Sequence, residues 1–298
     1  MTDEYGKLGD HRVRRVGFGA MQLEHGDRED AVKILRRAVE FGVDHIDTAQ
    51  FYGDGRVNEL IRTALHPYGN DLQLVSKVGA VSHPVERLVL AQKPAQLRAG
   101  VEENLQALGI DRIPVVNLRR ADMQPGLIAH GEQVVDLDSQ LAELIALRDE
   151  GKIGAIGLSH VSLPQLRQAL PAGIVCVQNL YNVLTRDHED VLRECAARGV
   201  AWVPHFPLGS AFDQIPTVTD HPVVVAQARR LGITPAQVGL AWLLGHSRAT
   251  LLIPGTRSLD HLTENMAVAA INLDPEATAA LDALASPGPD DHATAPAT

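Results

Sequence analysis

From residue 13 to residue 285 short, mainly apolar runs take turns with longer stretches in which apolar residues recur every third or fourth position. The short runs fall at 13–19, 45–49, 72–78, 113–118, 154–158, 175–180, 201–204 and 250–253; lacking strict alternation, they predict strands buried on both faces, as in a parallel sheet. The longer stretches predict helices at 31–39, 57–65, 95–108, 138–148, 163–170, 187–198, 221–231, 260–268 and 274–285. Asp27 or Asp30 caps the first helix and Gly42 stops it. Thr234–Pro235–Ala236–Gln237 is a capping box with proline at the first helical position. Eight strands, each followed by helix, call for a closed parallel (β/α)8 barrel of the α/β class, one domain over residues 1–285. Residues 286–298, rich in Pro, Gly, Ala and Asp, are expected to be a disordered tail.

At 298 residues the chain is long for one average domain, but barrels of this kind routinely reach this length, so the composition need not be divided between two. The net charge of −10 comes with no basic stripe, which argues against nucleic acid or an anionic membrane surface as a partner. No apolar run is long enough to span a bilayer and the first residues lack a hydrophobic signal core, so a cytoplasmic location is expected. Cys176 and Cys195 are too few for a disulfide framework and are expected to be reduced core residues. The thirteen histidines show no zinc spacing on any predicted element, so no metal is expected. Nothing in the pattern fixes an oligomeric state, and a monomer suffices.

In a parallel barrel the carboxyl ends of the strands and the loops after them form the active face. Asp47, Tyr52, Lys77, Arg119, Ser159, Gln178 and His205 all fall at or just past predicted strand ends, on six different strands. Singly each has a plainer reading: Asp47 as a turn or cap, Tyr52 and Lys77 as surface groups, His205 as an ordinary polar residue. Together Asp47, Lys77 and Tyr52 predict a proton donor, because an ammonium beside a phenol favours the phenolate and lowers its pKa towards neutral, while a carboxylate holds the ammonium in place. Gly17 and Gly19, at the end of the first strand, are expected to let the backbone approach a bound group. The loops at 21–27, 81–90, 120–133 and 209–220 carry no readable code for a substrate.

Three sets of residues also carry a resemblance: Asp47–Thr48–Ala49 and Tyr52–Gly53 with Lys77; Gly151–Lys152–Ile153 with Gly157–Leu158–Ser159; and Ile253–Pro254–Gly255–Thr256–Arg257 with Glu264–Asn265. In order and spacing they resemble the aldo-keto reductase family, over nearly the whole chain. The resemblance implies a TIM barrel that reduces carbonyls with a nicotinamide cofactor. It implies Tyr52 as the proton donor, Lys77 and Asp47 as its partners, and a fourth catalytic position at the end of the fourth strand that is normally histidine. Here Arg119 stands there, or Arg120 if the register slips by one. A guanidinium cannot shuttle protons, but it can donate hydrogen bonds to a carbonyl oxygen.

For the cofactor, the resemblance implies Ser159 and Gln178 on the nicotinamide carboxamide, with His160 where asparagine is usual. His205 would stack on the nicotinamide ring, in the run that includes Pro207, with Trp202 or Phe206 as alternatives. Leu208, Gly209 and Ser210 would offer amides to the pyrophosphate. Gly255, Thr256, Arg257 and His261 would surround the adenosine 2′-phosphate, which favours NADPH over NADH, and Glu264 and Asn265 would hold the adenine. Gly19 and Met21 complete the cofactor set. No Gly-x-Gly-x-x-Gly follows a strand, so a Rossmann domain is not the source of the site.

The expected function is reduction of an aldehyde or ketone, a small-molecule carbonyl, with hydride from NADPH and a proton from Tyr52. Pyridoxal, small aldehydes and keto-sugars are all compatible. Two alternatives come from other classes: a non-catalytic NADPH-binding sensor or accessory subunit on the same barrel, and a lyase or isomerase using Lys77 as a Schiff base, which would leave the 255–265 segment unexplained.

Overall fold

The computed structural model describes residues 4–209 and 215–284. The chain opens with an antiparallel hairpin, β1 (Tyr5–Leu8) and β2 (His11–Arg14), paired Tyr5 to Arg14 and Leu8 to His11. It continues through β3 (Phe18–Gly19), α1 (Arg28–Glu40), β4 (His45–Asp47), α2 (Arg56–Leu65) and β5 (Gln73–Val78). A second hairpin, β6 (Ala80–His83) and β7 (Arg87–Leu90), precedes α3 (Pro94–Leu108) and β8 (Ile113–Arg119). Then come α4 (Leu137–Asp149), β9 (Ile153–Ser159), α5 (Leu163–Ala169), β10 (Ile174–Gln178), α6 (Glu189–Arg198) and β11 (Ala201–Trp202). Four helices follow: α7 (Pro222–Leu231), α8 (Pro235–His246), α9 (Leu259–Ala267) and α10 (Pro275–Asp282).

Seven parallel strands lie side by side in the order β11, β10, β9, β8, β5, β4, β3. Residues 249–252 close the circle. Leu251 N donates to Trp202 O and Trp202 N to Ala249 O, each at 2.8 Å, while Leu252 N donates to Arg15 O and Gly17 N to Leu252 O, also at 2.8 Å. Closure leaves the sheet without an edge. The eighth strand is thus present as a bridging segment, and the result is the single-domain (β/α)8 barrel that the apolar runs predict.

Inside the barrel, Val75, Val115, Cys176, Ala201 and Leu251 form a cluster with Leu8 and Val13. The N-terminal hairpin therefore plugs the amino end of the barrel and leaves the carboxyl end for polar side chains. The expected first strand at 13–19 is divided: Val13 belongs to the plug and only Phe18–Gly19 to the barrel. The break lies at Arg15, whose guanidinium reaches across to Thr250 O, Leu244 O and Ser247 O at 3.1, 2.8 and 2.6 Å. The segment read as a loop at 81–90 is likewise the β6–β7 hairpin, where Val81 pairs with Val89 and Ser82 with Leu88. Asp27, not Asp30, caps α1 by accepting from Glu29 N and Asp30 N, and Thr234 caps α8 with Gln237 as expected. Cys176 and Cys195 are free and buried. Among the described residues no helix is long and apolar enough to cross a membrane. The expected tail at 286–298 lies outside the described residues.

Strand β9 shows how tightly the interior is filled. A Cβ on Gly157 would lie 1.9 Å from Asn117 Oδ1 and 2.6 Å from Cys176 Sγ. Gly157→Ala is therefore expected to destabilise the fold by about 1–3 kcal/mol through overpacking, read as a lower urea midpoint; an unchanged midpoint would contradict this packing.

Candidate active site

Alternation along the strands turns Asp47 and Lys77 into the carboxyl end of the barrel. Lys77 Nζ donates to Asp47 Oδ1 and, at 3.0 Å, to the Thr48 carbonyl. Gln178, from β10, donates its Nε2 to Asp47 Oδ2 at 2.6 Å. The carboxylate is thus gripped on both oxygens, and with Asp47 at 3% and Lys77 at 7% exposure the pair is sealed from bulk water. Tyr52 follows on the loop after β4, its backbone N bonded to Ala49 O at 3.1 Å. Lys77 Nζ lies 4.9 Å from the Tyr52 ring centroid. Phe51 packs edge-on against Tyr52, and Ser82 of β6 holds the Phe51 carbonyl at 3.1 Å, so the second hairpin braces this loop.

Burial opposes the charge on Lys77, but Asp47 and Tyr52 together outweigh it and hold its pKa above the usual value. Tyr52 behaves differently from expectation. Burial raises its pKa, and the opposing pull of Lys77 does not cancel it, with Asp47 adding to the rise and Arg119 resisting it. The protein alone therefore keeps the phenol protonated instead of bringing it towards neutral, because loss of water around a phenolate weighs more than one nearby ammonium.

Arg119 ends β8, Arg120 follows it, and the two turn to opposite sides. Arg120 is consumed by structure: it pairs with Asp122 through Nε at 2.7 Å and Nη2 at 2.9 Å, donates to Val135 O at 2.9 Å and also bonds Gln140 Oε1. Arg119 belongs to the mouth, near enough to Tyr52 to act on its ionisation. Its Nη1 is buried with no hydrogen-bond partner among the described residues, and burial lowers its pKa. Gln92 steadies it from behind, donating to the Arg119 carbonyl at 2.9 Å.

The nicotinamide-side residues gather beside this set. Ser159 lies in register with both Arg119 and Gln178 and is buried. With its amide nitrogen spent on Asp47, Gln178 keeps Oε1 buried and without a partner among the described residues. An acceptor so placed suits the N–H of a carboxamide. His160 is committed elsewhere: at φ +63 its ring turns back and Nε2 donates to Met123 O at 2.5 Å. His205 is half-buried just past β11, edge-to-face with Phe206 at 5.4 Å. Burial pushes its pKa well below the ordinary value, so it presents a neutral ring. Trp202 is fully buried against Tyr181 and offers no face to the mouth, which removes one alternative.

The phosphate-side residues are more dispersed. Pro207 and Leu208 are half-buried. The Gly209 amide donates to Phe206 O at 3.0 Å and so is not offered outward; at φ +81 its missing Cβ would otherwise lie 2.0 Å from Pro216 O. Ser210 lies outside the described residues. Gly19 and Gly255 face one another: a Cβ on Gly19 would lie 2.4 Å from Ile253 O, and one on Gly255 2.4 Å from Gly19 O. The glycine at 17 similarly makes room for the His45 ring. These glycines therefore admit the chain itself at close quarters. Met21 is half-buried and opens a single turn, Met21–Glu24. Thr256 is buried with Oγ1 accepting from Ser258 N at 3.0 Å. Arg257 is an exposed cation just before α9, and His261, also exposed, gives its backbone N to the Ser258 cap at 3.3 Å. Glu264 is half-buried with its carbonyl held by Gln237, and Asn265 is buried.

Asn117 was not singled out by the sequence. It lies fully buried inside the barrel, in register with Lys77, accepts from Cys176 Sγ at 3.2 Å and keeps Nδ2 without a partner among the described residues. The available signal was a lone amide in an otherwise apolar strand, two residues before Arg119.

The aldo/keto reductase family model matches residues 15–286. The chain is 42% identical over 285 residues to pyridoxine 4-dehydrogenase of Escherichia coli strain K12, covering 93% of this chain and 96% of that protein. It is 34% identical over 287 residues to an uncharacterized oxidoreductase of Schizosaccharomyces pombe, covering 93% and 88%. Among solved structures it is similar to an aldo/keto reductase from Klebsiella pneumoniae in complex with NADP and acetate, at TM-score 0.79 and 26% identity over 95% of each chain. A thermostable aldo-keto reductase bound to the inhibitor epalrestat gives TM-score 0.77 at 28% identity, covering 94% of this chain and 99% of that one. With a family model spanning nearly all of the barrel and an ammonium, a carboxylate and a phenol at its carboxyl end, this chain belongs to the aldo/keto reductase family.

Proposed function

We propose that this chain reduces an aldehyde to its alcohol with NADPH, and that the pair it acts on is pyridoxal and pyridoxine or a close relative. One observation carries the chemistry: a Lys77 ammonium anchored on Asp47 beside Tyr52, with an Arg119 N–H that has no partner among the described residues. The substrate class is supported by the 42% identity to the E. coli pyridoxine 4-dehydrogenase across almost the full length of both proteins. The cofactor is supported by the NADP-bound structures of similar chains and by the free Gln178 Oε1, which suits a carboxamide.

When bound, NADPH supplies the hydride. Tyr52, held in its protonated form by burial, gives its proton to the carbonyl oxygen. Lys77 stabilises the phenolate left behind, and Asp47 with Gln178 keeps that ammonium from turning away. Arg119 donates to the carbonyl oxygen as negative charge builds on it, a contribution of the oxyanion-hole kind. Arg257 is the exposed cation suited to a phosphate at the start of α9.

Consumption of NADPH absorbance with pyridoxal and a panel of other aldehydes tests the reading. Tyr52→Phe is expected to lose about 10²–10⁴-fold in kcat, the usual contribution of a general acid. Arg119→Leu is expected to lose about 10²–10³-fold, as for loss of one oxyanion donor, whereas Arg119→His, which restores a donor, keeps measurable turnover. Full activity in Tyr52→Phe would overturn the acid assignment, and tight NADPH binding with no turnover on any aldehyde would favour the sensor.

A pH dependence follows from the raised Tyr52 pKa. Reduction needs the protonated phenol, and raising the pKa keeps it protonated further into alkali. The kcat/KM for reduction should therefore show no loss from Tyr52 through the neutral range and fall only above about pH 10. A limb near pH 7 that disappears in Tyr52→Phe would contradict it.

A further inference from the structure

While Asp47 and Lys77 face the barrel interior, their chain neighbours Thr48 and Ser76 turn into the layer between the barrel wall and helices α2 and α3. That layer is otherwise apolar, filled by Val57, Leu60 and Ile61 of α2 and by Leu97, Val101 and Leu108 of α3. Two amides interrupt it, Asn58 and Asn104, both with no exposure at all. Asn58 Oδ1 accepts from Thr48 Oγ1 at 2.8 Å, and Asn58 Nδ2 donates to Gln50 Oε1 at 2.8 Å and to Asn104 Oδ1 at 2.9 Å. Asn104 Oδ1 also accepts from Ser76 Oγ at 2.5 Å, and its own Nδ2 donates to Gly100 O at 2.7 Å.

Buried amides are costly to desolvate, and apolar groups of the same shape would hold this layer together as well or better. What a fully bonded network adds is direction: each group accepts one arrangement of its neighbours. Here the groups fixed are the residue after Asp47, the residue before Lys77, and Gln50, two residues before Tyr52. The Thr48 carbonyl is itself a ligand of Lys77 Nζ.

We propose that Asn58 and Asn104 are positioning residues that set the registry of the β4 and β5 strand ends, and so hold the Lys77 ammonium between Asp47 and Tyr52. Neither touches the reacting groups. Lys77, Asp47 and Arg119 are the charged groups that act on Tyr52, and of these the network fixes the first two from behind. The effect on turnover rests on the reduction proposed above, but the effect on Lys77 does not.

The test uses Asn58→Leu in the full-length protein, with Thr48→Val carrying the same measurements if the first variant does not fold. Acetic anhydride labelling, mapped residue by residue, compares Lys77 with the exposed Lys33 as internal reference. In a folded variant Lys77 should be acylated about 10- to 10²-fold faster relative to Lys33 than in the wild type, and kcat per folded molecule should fall by about the same factor with KM for NADPH little changed, as for a small misplacement of a catalytic group. A merely structural role would lower the melting temperature and leave both unmoved. An unchanged Lys77 rate, or an undiminished kcat, overturns the proposal. Wild-type protein that turns over no aldehyde would sink the proposed function and leave the labelling result to decide this one.

Discussion

One ammonium, that of Lys77, is the point at which the carboxyl end of this barrel is tied together. It has a carboxylate, a carbonyl and a phenol within its reach, all from the neighbouring strand β4 and the loop after it. A buried ion pair does not by itself stabilise a fold, since desolvation offsets much of the attraction. This one is tolerable because its remaining valences are met: Gln178 takes the second oxygen of Asp47, and Thr48 takes a second proton of Lys77. Leaving either partner alone in that cavity would cost several kcal/mol, which is why the pair is better understood as a fixed electrostatic part than as a source of stability.

Around it the charge is unbalanced on purpose of chemistry. Lys77 and Arg119 are two cations facing one carboxylate, inside a chain whose net charge is −10. Among the described residues Arg119 has no counter-carboxylate and one N–H with nothing to bond, a feature that folding alone gives no reason to keep. A site of that kind favours an anion or a carbonyl oxygen taking on charge. Where the family's usual histidine could exchange a proton, a guanidinium cannot, which among the described residues at the mouth leaves the proposed donor role to Tyr52. Burial keeps it loaded.

The sequence made the barrel legible because its strands are buried on both faces and its helices carry plain stripes. The same logic placed Asp47, Lys77 and Arg119, since a polar residue ending an apolar run points at the active face. It could not separate Arg119 from Arg120, because one residue of register reverses the side; only the bonds of Arg120 to Asp122 and Gln140 decide it. The two hairpins were hidden for opposite reasons. One was merged into the first strand because Val13 and Val16 are both apolar, and the other folds from a stretch with weak alternation. The sign of the Tyr52 shift was missed because neighbouring charges can be read from spacing and burial cannot. At glycines 17, 19 and 255 the sequence does not show that the His45 ring and the opposing backbone also need the space a side chain would take. Asn58 and Asn104 each occupy a buried position on an otherwise apolar helix face, which is the signal the sequence offers for them.

The claim beneath all of this is that Lys77 and Asp47 act on Tyr52 as a unit. A double-mutant cycle on kcat with Lys77→Met and Asp47→Asn measures that coupling directly. Here the double variant should be little slower than Lys77→Met alone, since the main part of Asp47 in turnover is to hold the lysine and its own direct effect on Tyr52 is the smaller one. Losses that multiply, each substitution costing its own factor in the presence of the other, would mean the two residues act independently and would contradict the account.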